Sequence, residues 1–415
     1  LELFTRHNTK IYNIFFVSFF IAGGILCNAI ASEFKEIPNG TQGIAIPPTN
    51  PENQAYQRLA QALRHYMTIA AAGGWPVIPS GPVLRPGDTD KRIPILRKRL
   101  MISGDLGPNA TGKTDFFDKT LNDAVMHFQK RHGLKPDGVV GPETINEINI
   151  PIEERIRQIE LNLGRWRLIP FSTEYRYIII NIADFELKLI EDGKPIMKMK
   201  VIVGRDYRQT PVFTSEITSI TINPYWHIPY SIAVKDILPE LRKDPGYLDK
   251  KHIKVINSNG KEDSEAFYDQ IEWKNISKRD FNYRLRQEPG PLNALGRLKF
   301  DIPNQYGVYL HDTPAQALFK KTRRGFSSGC IRLERPLDIA AYLLNDDADW
   351  PREKILEAIE SKKTRTIRLK RPIPVHVVYI TAWVSEDGLL NFRQDIYGRD
   401  AIPEKALQQA AQTRE

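Results

Sequence analysis

The sequence predicts an α+β multidomain protein. A β-rich domain carrying an inserted subdomain follows a helical scaffold and a small three-helix module. Three observations predict it. The chain has 415 residues, enough for two to three domains. Helical periodicity dominates up to about residue 172, and short β-type runs take over from about 174. The strand pattern then breaks across residues 231–290, a polar, charged and aromatic stretch too long for an ordinary loop.

The elements follow in chain order. Arg6, His7 and Lys10 precede an apolar run from Ile11 to Leu26, and Ala29-Ile30-Ala31 has the small-x-small pattern of a signal cleavage site. Residues 1–31 therefore read as an export signal, with an uncleaved membrane anchor as the competing reading. Gly24-Ile25-Leu26 is a poor context for lipid attachment at Cys27. Residues 32–54, rich in Pro, Asn, Gly and Thr, read as a linker. Tyr56, Leu59, Leu63, Tyr66 and Met67 recur at helical spacing, and Gly73-Gly74 ends that helix, so residues 55–88 form the first part of a scaffold.

Residues 89–150 read as a compact helical module. One helix covers Ile93 to Met101. Asp118 caps a second, which presents Leu121, Ala124, Val125 and Phe128 on one face. Gly141-Pro142 opens a third, with proline at its first position. Residues 151–172 add a scaffold helix ending in Arg165-Trp166-Arg167.

The β-rich domain spans residues 173–400, and residues 401–415 form a tail. Tyr175–Ile182 is a strand. Phe185–Ile190 and Ile196–Val203 form a hairpin about Asp192-Gly193. Further strands are expected at Glu216–Ile222, Leu298–Ile302, Val308–His311, Thr366–Leu369 and Val375–Ala382. Helices are expected at Ala315–Lys320, Leu337–Leu344 and Arg352–Glu360. The insertion at 231–290 reads as a lid beside an active site.

Composition narrows the chemistry. There are 59 Lys and Arg against 50 Asp and Glu, a formal charge of +9, which favours an anionic partner or surface. No helix-turn-helix, zinc-finger or RNP pattern is present, so nucleic acid is not the expected partner. There is no HExxH, no paired cysteine cluster and no P-loop, so neither a metal nor a cofactor is expected.

The chain has two cysteines, Cys27 and Cys330. If the signal is removed, Cys330 is unpaired in an exported protein, which flags a reactive thiol. The bland alternative is a buried thiol acting as a small hydrophobe. His311 lies 19 residues earlier, at the end of an expected strand, and a histidine within reach of a cysteine is its base. The ring needs a partner on its other nitrogen. Asp312 is adjacent, but neighbours on a strand point to opposite faces, so a backbone carbonyl near 312–313 competes with it.

Ser328 and Gly329 bring the backbone close to a substrate, and the Cys330 amide then faces a developing oxyanion. Tyr309 shares the face of His311 and is a second candidate donor. Arg332, two residues past the thiol, is a candidate handle for a substrate carboxylate. Lys320, Lys321, Arg323 and Arg324 read either as further cations for the site or as a solvated face. Gly325 to Gly329 also fits G-x-S-x-G with Ser327 as nucleophile, but Phe319 to Arg324 is not the buried strand that motif requires. His227, in "NPYWHIPYS", reads as packing at the base of the insertion rather than lining a groove.

Two stretches carry a family resemblance. "AVMHFQKRHGLKPDGVVGPETINEIN" resembles the peptidoglycan-binding module of wall enzymes, with its AV..FQ, GL..DG and G..T elements. "YLHDTP…SSGCIRLE" resembles the signature of the YkuD-type L,D-transpeptidases. The common form has histidine where Ser328 stands. This departure resembles the large YcbB-like branch, as do "IVGRDYRQTPVF", "INPYWHIP", "KDILPELRKDPGYL" and "GPLNALGRLKF…PNQYGVYLHDTP". The likeness runs from about residue 55 to 400.

The resemblance implies a cysteine acyltransferase that attacks tetrapeptide stems of peptidoglycan, releases D-alanine and forms 3→3 crosslinks. Donor and acceptor stems are then the partners, carbapenems acylate Cys330, and the site is the periplasm or envelope of a Gram-negative bacterium. The alternatives are an L,D-carboxypeptidase using water as acceptor, a sortase-like transpeptidase, and a non-catalytic wall-binding scaffold.

Overall fold

The computed structural model describes residues 51–108, 110, 114–169, 175–256, 271–345 and 347–401. The expected signal or anchor, most of the linker, residues 257–270 of the insertion and the tail beyond 401 lie outside the described residues. Among the described residues no helix is long and apolar enough to cross a membrane.

Five helices form the N-terminal part: α1 (Pro51–Ala71), α2 (Ile93–Ile102), α3 (Lys119–Arg131), α4 (Pro142–Ile148) and α5 (Ile152–Leu168). The Asp118 carboxylate caps α3 by accepting from the Leu121 amide at 2.8 Å. Leu96 and Leu100 of α2 pack with Leu121, Val125 and Phe128 of α3 and Ile148 of α4 in one core. Leu59 and Tyr66 of α1 pack with Ile159 and Leu163 of α5 in another.

The β-rich part begins with β1 (Arg176–Asn181), β2 (Glu186–Glu191), β3 (Lys194–Gly204) and β4 (Phe213–Ile222). It continues with β8 (Leu298–Asp301), β9 (Leu310–His311), β10 (Gly325–Ser327), β11 (Ile331–Leu333) and β12 (Arg365–Val378). The hairpin of β2 and β3 turns on Asp192 and Gly193, both at positive φ, 50° and 70°. The sheet order is β10-β3-β11-β9-β8-β4-β12-β1-β2, and β2 also pairs with β3. That last pairing closes the sheet on itself, with β10 attached outside the ring. Its interior holds Ile178, Val201, Ile220, Phe300, Leu310, Ile331 and Val375.

Three expectations need correction. Thr366–Leu369 and Val375–Ala382 are not two strands. They belong to the single strand β12, in which Arg368 pairs with Ser219 and Ile373 with Ile217. Residues 369–372 are therefore accommodated opposite Thr218 alone, a bulge at Arg371-Pro372, where proline has no ladder donor to give. Ala382 lies in a separate hairpin, β13 (Ala382–Val384) with β14 (Leu390–Phe392), packed on α1 and α5 rather than on the large sheet. The strand expected at Val308–His311 shrinks to β9, because the Asn304 side chain takes the Val308 carbonyl and amide at 2.7 and 3.1 Å.

The insertion has a core of its own, including Ile228, Leu241, Val255, Trp273, Phe281 and Leu285. Its sheet is β5 (Trp226–Ile228), β7 (Arg284–Gln287) and β6 (Ile253–Ile256), so it starts at Trp226, before the expected residue 231. Trp226 and Ile228 pack inward. His227 between them is exposed and, with Tyr230, Phe281 and Tyr283, lines a cavity of about 450 Å³. The packing role expected for His227 is thus corrected by strand alternation.

The module and the C-terminal hairpin are tied by buried polar contacts. Arg131 pairs with Asp105 and donates to the Leu390 carbonyl, while Arg393 donates to the Arg131 carbonyl. His132 sits among Arg131, Arg155, Arg99 and Arg393. Burial, and then these cations, hold it well below the usual imidazole range. The folded state keeps His132 neutral, whereas the unfolded state protonates it below about pH 6.5. The unfolded chain then binds more protons, so stability falls as pH drops below that value. The urea midpoint is expected to be lower at pH 5 than at pH 7.5. His132→Gln is expected to flatten that slope by up to about 1.4 kcal/mol per pH unit, and an unchanged slope would rule out His132 as a source.

Candidate active site

The register of three strands assembles the site. Arg332 pairs with His311 across β11 and β9, and His311 pairs with Lys299 across β9 and β8. Side chains in one lateral row of a sheet share a face. The neighbouring row, Ile331, Leu310 and Phe300, points into the barrel core. The row of Arg332, His311 and Lys299 therefore lies on the opposite face. Tyr309 shares it, its ring centroid 5.6 Å from that of His311, and Lys299 Nζ sits 4.8 Å over the Tyr309 ring.

His311 is buried, and its Nδ1 lies 2.6 Å from the Asp312 carbonyl oxygen. A carbonyl only accepts, so Nδ1 carries the proton and Nε2 is left as the basic nitrogen. The Asp312 carboxylate does not orient the ring. It accepts from the Arg297 and Thr313 amides at 2.8 and 2.7 Å. Burial, with the cations Arg332 and Lys299, pushes the imidazole down to about 3, against the opposing pull of the Asp312 carbonyl. The ring is neutral at physiological pH.

Burial pushes the Cys330 thiol up, while the Tyr309 amide and hydroxyl, Lys299 and Arg332 oppose it. The sulfur reaches the Gly307 carbonyl at 4.0 Å, and among the described residues it makes no hydrogen bond to His311. At rest the thiol and the imidazole are both neutral, and catalytic hydrogen bonds of this kind tighten on substrate binding. Burial raises the Tyr309 phenol well above its ordinary value, so it stays protonated. Its hydroxyl interacts with both Cys330 and the Trp226 indole of the insertion. Arg332 Nε is buried with no hydrogen-bond partner among the described residues.

The turn before the thiol is braced by side chains. Ser327 Oγ donates to the Cys330 carbonyl at 2.5 Å and accepts from the Gly329 amide at 3.1 Å. Both capacities of that hydroxyl are used in shaping the turn, which leaves no role for Ser327 as a nucleophile. Gly329 has φ +116°, a conformation that a Cβ disfavours. Ser328 Oγ accepts from Arg208 at 2.8 Å, and Arg208 also pairs with Asp236 of the insertion at 2.5 Å. The insertion thus touches the site twice, through Trp226 to Tyr309 and through Asp236 and Arg208 to Ser328.

Within the basic run, Lys320, Lys321 and Arg323 are exposed. Arg324 is buried and donates to the carbonyls of Val201, Phe185, Lys321 and Thr322, a structural tie and not a site cation. The structure thus brings Cys330, His311, Tyr309, Gly329 and Arg332 together. Ser328 lies at the edge, facing Arg208. Sequence reading singles out none of Lys299, Trp226, Arg208 or Asp236. Lys299 alternates with the core residues Leu298 and Phe300, which marks it as facing away from them, but nothing in the sequence says which neighbours share that face.

The arrangement supplies a nucleophile, a base with its tautomer set, and a cation row, which together suit acyl transfer to sulfur. The family profile for the L,D-transpeptidase catalytic domain (YkuD) matches residues 175–373. A second, described as "Putative peptidoglycan binding domain", matches residues 89–148. A curated protein of Haemophilus influenzae, described as "Putative L,D-transpeptidase", is 34% identical over 244 residues, which is 59% of this chain and 48% of that protein. The chain thus spans about half the length of the curated relative it matches. Among solved structures, L,D-transpeptidase 3 from Mycobacterium tuberculosis is 16% identical, covering 49% of this chain and 61% of that chain with a TM-score of 0.24. The L,D-transpeptidase (Yku) from Stackebrandtia nassauensis is 13% identical, covering 73% and 96% with a TM-score of 0.26.

Proposed function

We propose, from the match of residues 175–373 to the L,D-transpeptidase catalytic domain, that this protein crosslinks peptidoglycan through a thioester on Cys330. The observation that carries the reading is the single face holding Tyr309, His311 and Arg332 about the thiol.

In the proposed reaction His311 Nε2 takes the thiol proton as sulfur attacks the carbonyl between the third residue of a tetrapeptide stem and its terminal D-alanine. The carbonyl π pair moves to oxygen, where the Cys330 amide and the Tyr309 hydroxyl receive the charge. The C–N bond breaks, the imidazolium returns its proton to the departing amine of D-alanine, and the thioester remains. An acceptor amine then attacks it and loses a proton to His311. The C–S bond breaks, the sulfur is reprotonated, and a 3→3 crosslink is left. A buried imidazole among cations holds a proton poorly, which favours its rapid transfer to the leaving amine. Arg332 binds a stem carboxylate, and the insertion keeps water from the thioester. On the export-signal reading of residues 1–31, the proposed place of work is the cell envelope.

The test is incubation with purified tetrapeptide muropeptides and, separately, with a carbapenem. Crosslinked dimer, released D-alanine and a covalent carbapenem adduct are expected. Monomeric tripeptide as the sole product would instead make the enzyme an L,D-carboxypeptidase, and the absence of both product and adduct would leave a non-catalytic wall-binding protein.

A further inference from the structure

Gly329 presents a physical problem. Glycine at φ +116° tolerates rotation of the peptide that follows it. That peptide contains the Cys330 amide, and a flip would replace an N–H facing the reacting carbonyl with the Gly329 oxygen. Such a site would repel an oxyanion.

A single buried hydroxyl opposes the flip. Thr210 is fully buried, its Oγ1 accepts from the Gly204 amide at 2.9 Å, and it donates to the Gly329 carbonyl at 2.8 Å. With the acceptor role filled by Gly204, the hydroxyl proton is committed to Gly329. Thr210 is itself held. Its amide donates to the Tyr397 hydroxyl at 3.2 Å, and Tyr397 donates to the Gly204 carbonyl at 2.6 Å. A trans peptide carries its C=O and N–H on opposite sides. Holding the Gly329 oxygen toward Thr210 therefore aims the Cys330 N–H away from it, where it donates to none of the described residues.

We propose that Thr210 is a positioning residue for acyl transfer, fixing the Gly329–Cys330 peptide with the Cys330 amide directed at the developing oxyanion. The proposal rests on the acyl-transfer reading above.

The test compares Thr210→Val, which keeps the shape and removes the hydroxyl, with Thr210→Ser, which keeps the hydroxyl. In the full chain, adduct formation with a carbapenem is timed by intact mass, and alkylation of Cys330 by iodoacetamide is timed in parallel. Alkylation needs the thiol but no oxyanion stabilisation. Thr210→Val is expected to slow carbapenem acylation by about 10²-fold or more, the effect of losing one oxyanion donor, while alkylation stays within about twofold. Thr210→Ser is expected to acylate at near the wild-type rate. Acylation of Thr210→Val within about threefold of wild type would overturn the proposal. So would a parallel loss of acylation and alkylation, which would mean a collapsed site. A wild-type protein that is alkylated but never acylated would instead overturn the acyl-transfer reading beneath it.

Discussion

Cys330→Ala is expected to form no covalent carbapenem adduct and no crosslinked muropeptide, a loss on the order of 10⁶-fold in kcat if the nucleophile carries the chemistry. The reasoning is local. Sulfur is the only group at the head of the turn able to form the acyl bond, because the Ser327 hydroxyl is committed to the Cys330 carbonyl and the Gly329 amide. The Ser328 hydroxyl is engaged by Arg208. Cys330 is half-buried and its side chain supports no core cluster, so alanine removes the thiol with little effect on folding. A thermal melt of the variant checks this, and intact mass spectrometry reads the adduct. An adduct persisting in Cys330→Ala would move the nucleophile elsewhere and end the thioester mechanism.

His311→Ala is expected to slow acylation by roughly 10²–10⁴-fold, the usual worth of a positioned general base. The pH profile gives a sharper reading than the rate. His311 must be neutral to accept the thiol proton, and burial with Arg332 and Lys299 pushes its pKa down to about 3. The acid limb of kcat/KM is therefore expected well below the ordinary histidine value near 6.5. Removing a neighbouring cation eases protonation of the ring and raises its pKa. Arg332→Ala should shift the acid limb to higher pH, while burial still keeps it under 6.5. A wild-type limb near 6.5, or one that ignores Arg332, would mean that the titrating base is not His311 in this environment.

Much of the site was legible along the chain because its chemistry is concentrated in a short segment. Tyr309, His311, Gly329, Cys330 and Arg332 lie within 24 residues of one another. His311 and Arg332 lie on the short strands β9 and β11, and Tyr309 lies just before the first, so alternation along the local chain suffices to put Tyr309 beside His311. The sequence left the Asp312 side chain and a backbone carbonyl near 312–313 as competing partners for the His311 ring, and the fold selects the Asp312 carbonyl. Elements were less legible where a side chain overrode the backbone pattern. Asn304 truncates the strand at Val308, and a bulge joins two apparent strands into β12.

The sequence by itself determined the candidate sites of chemistry: a thiol with a glycine before it, a histidine 19 residues away, and an arginine two residues on. Local backbone geometry and residue chemistry carry that information, and both are written in short segments of the chain. Only the tertiary structure decided what holds those groups in place. Lys299 reaches His311 through the register of β8 against β9, and Thr210 reaches Gly329 across 119 positions of chain. Arg208 donates to Ser328 and also pairs with Asp236, which links the insertion to the turn. Pairing register is a property of two distant segments together, so neither segment contains it alone.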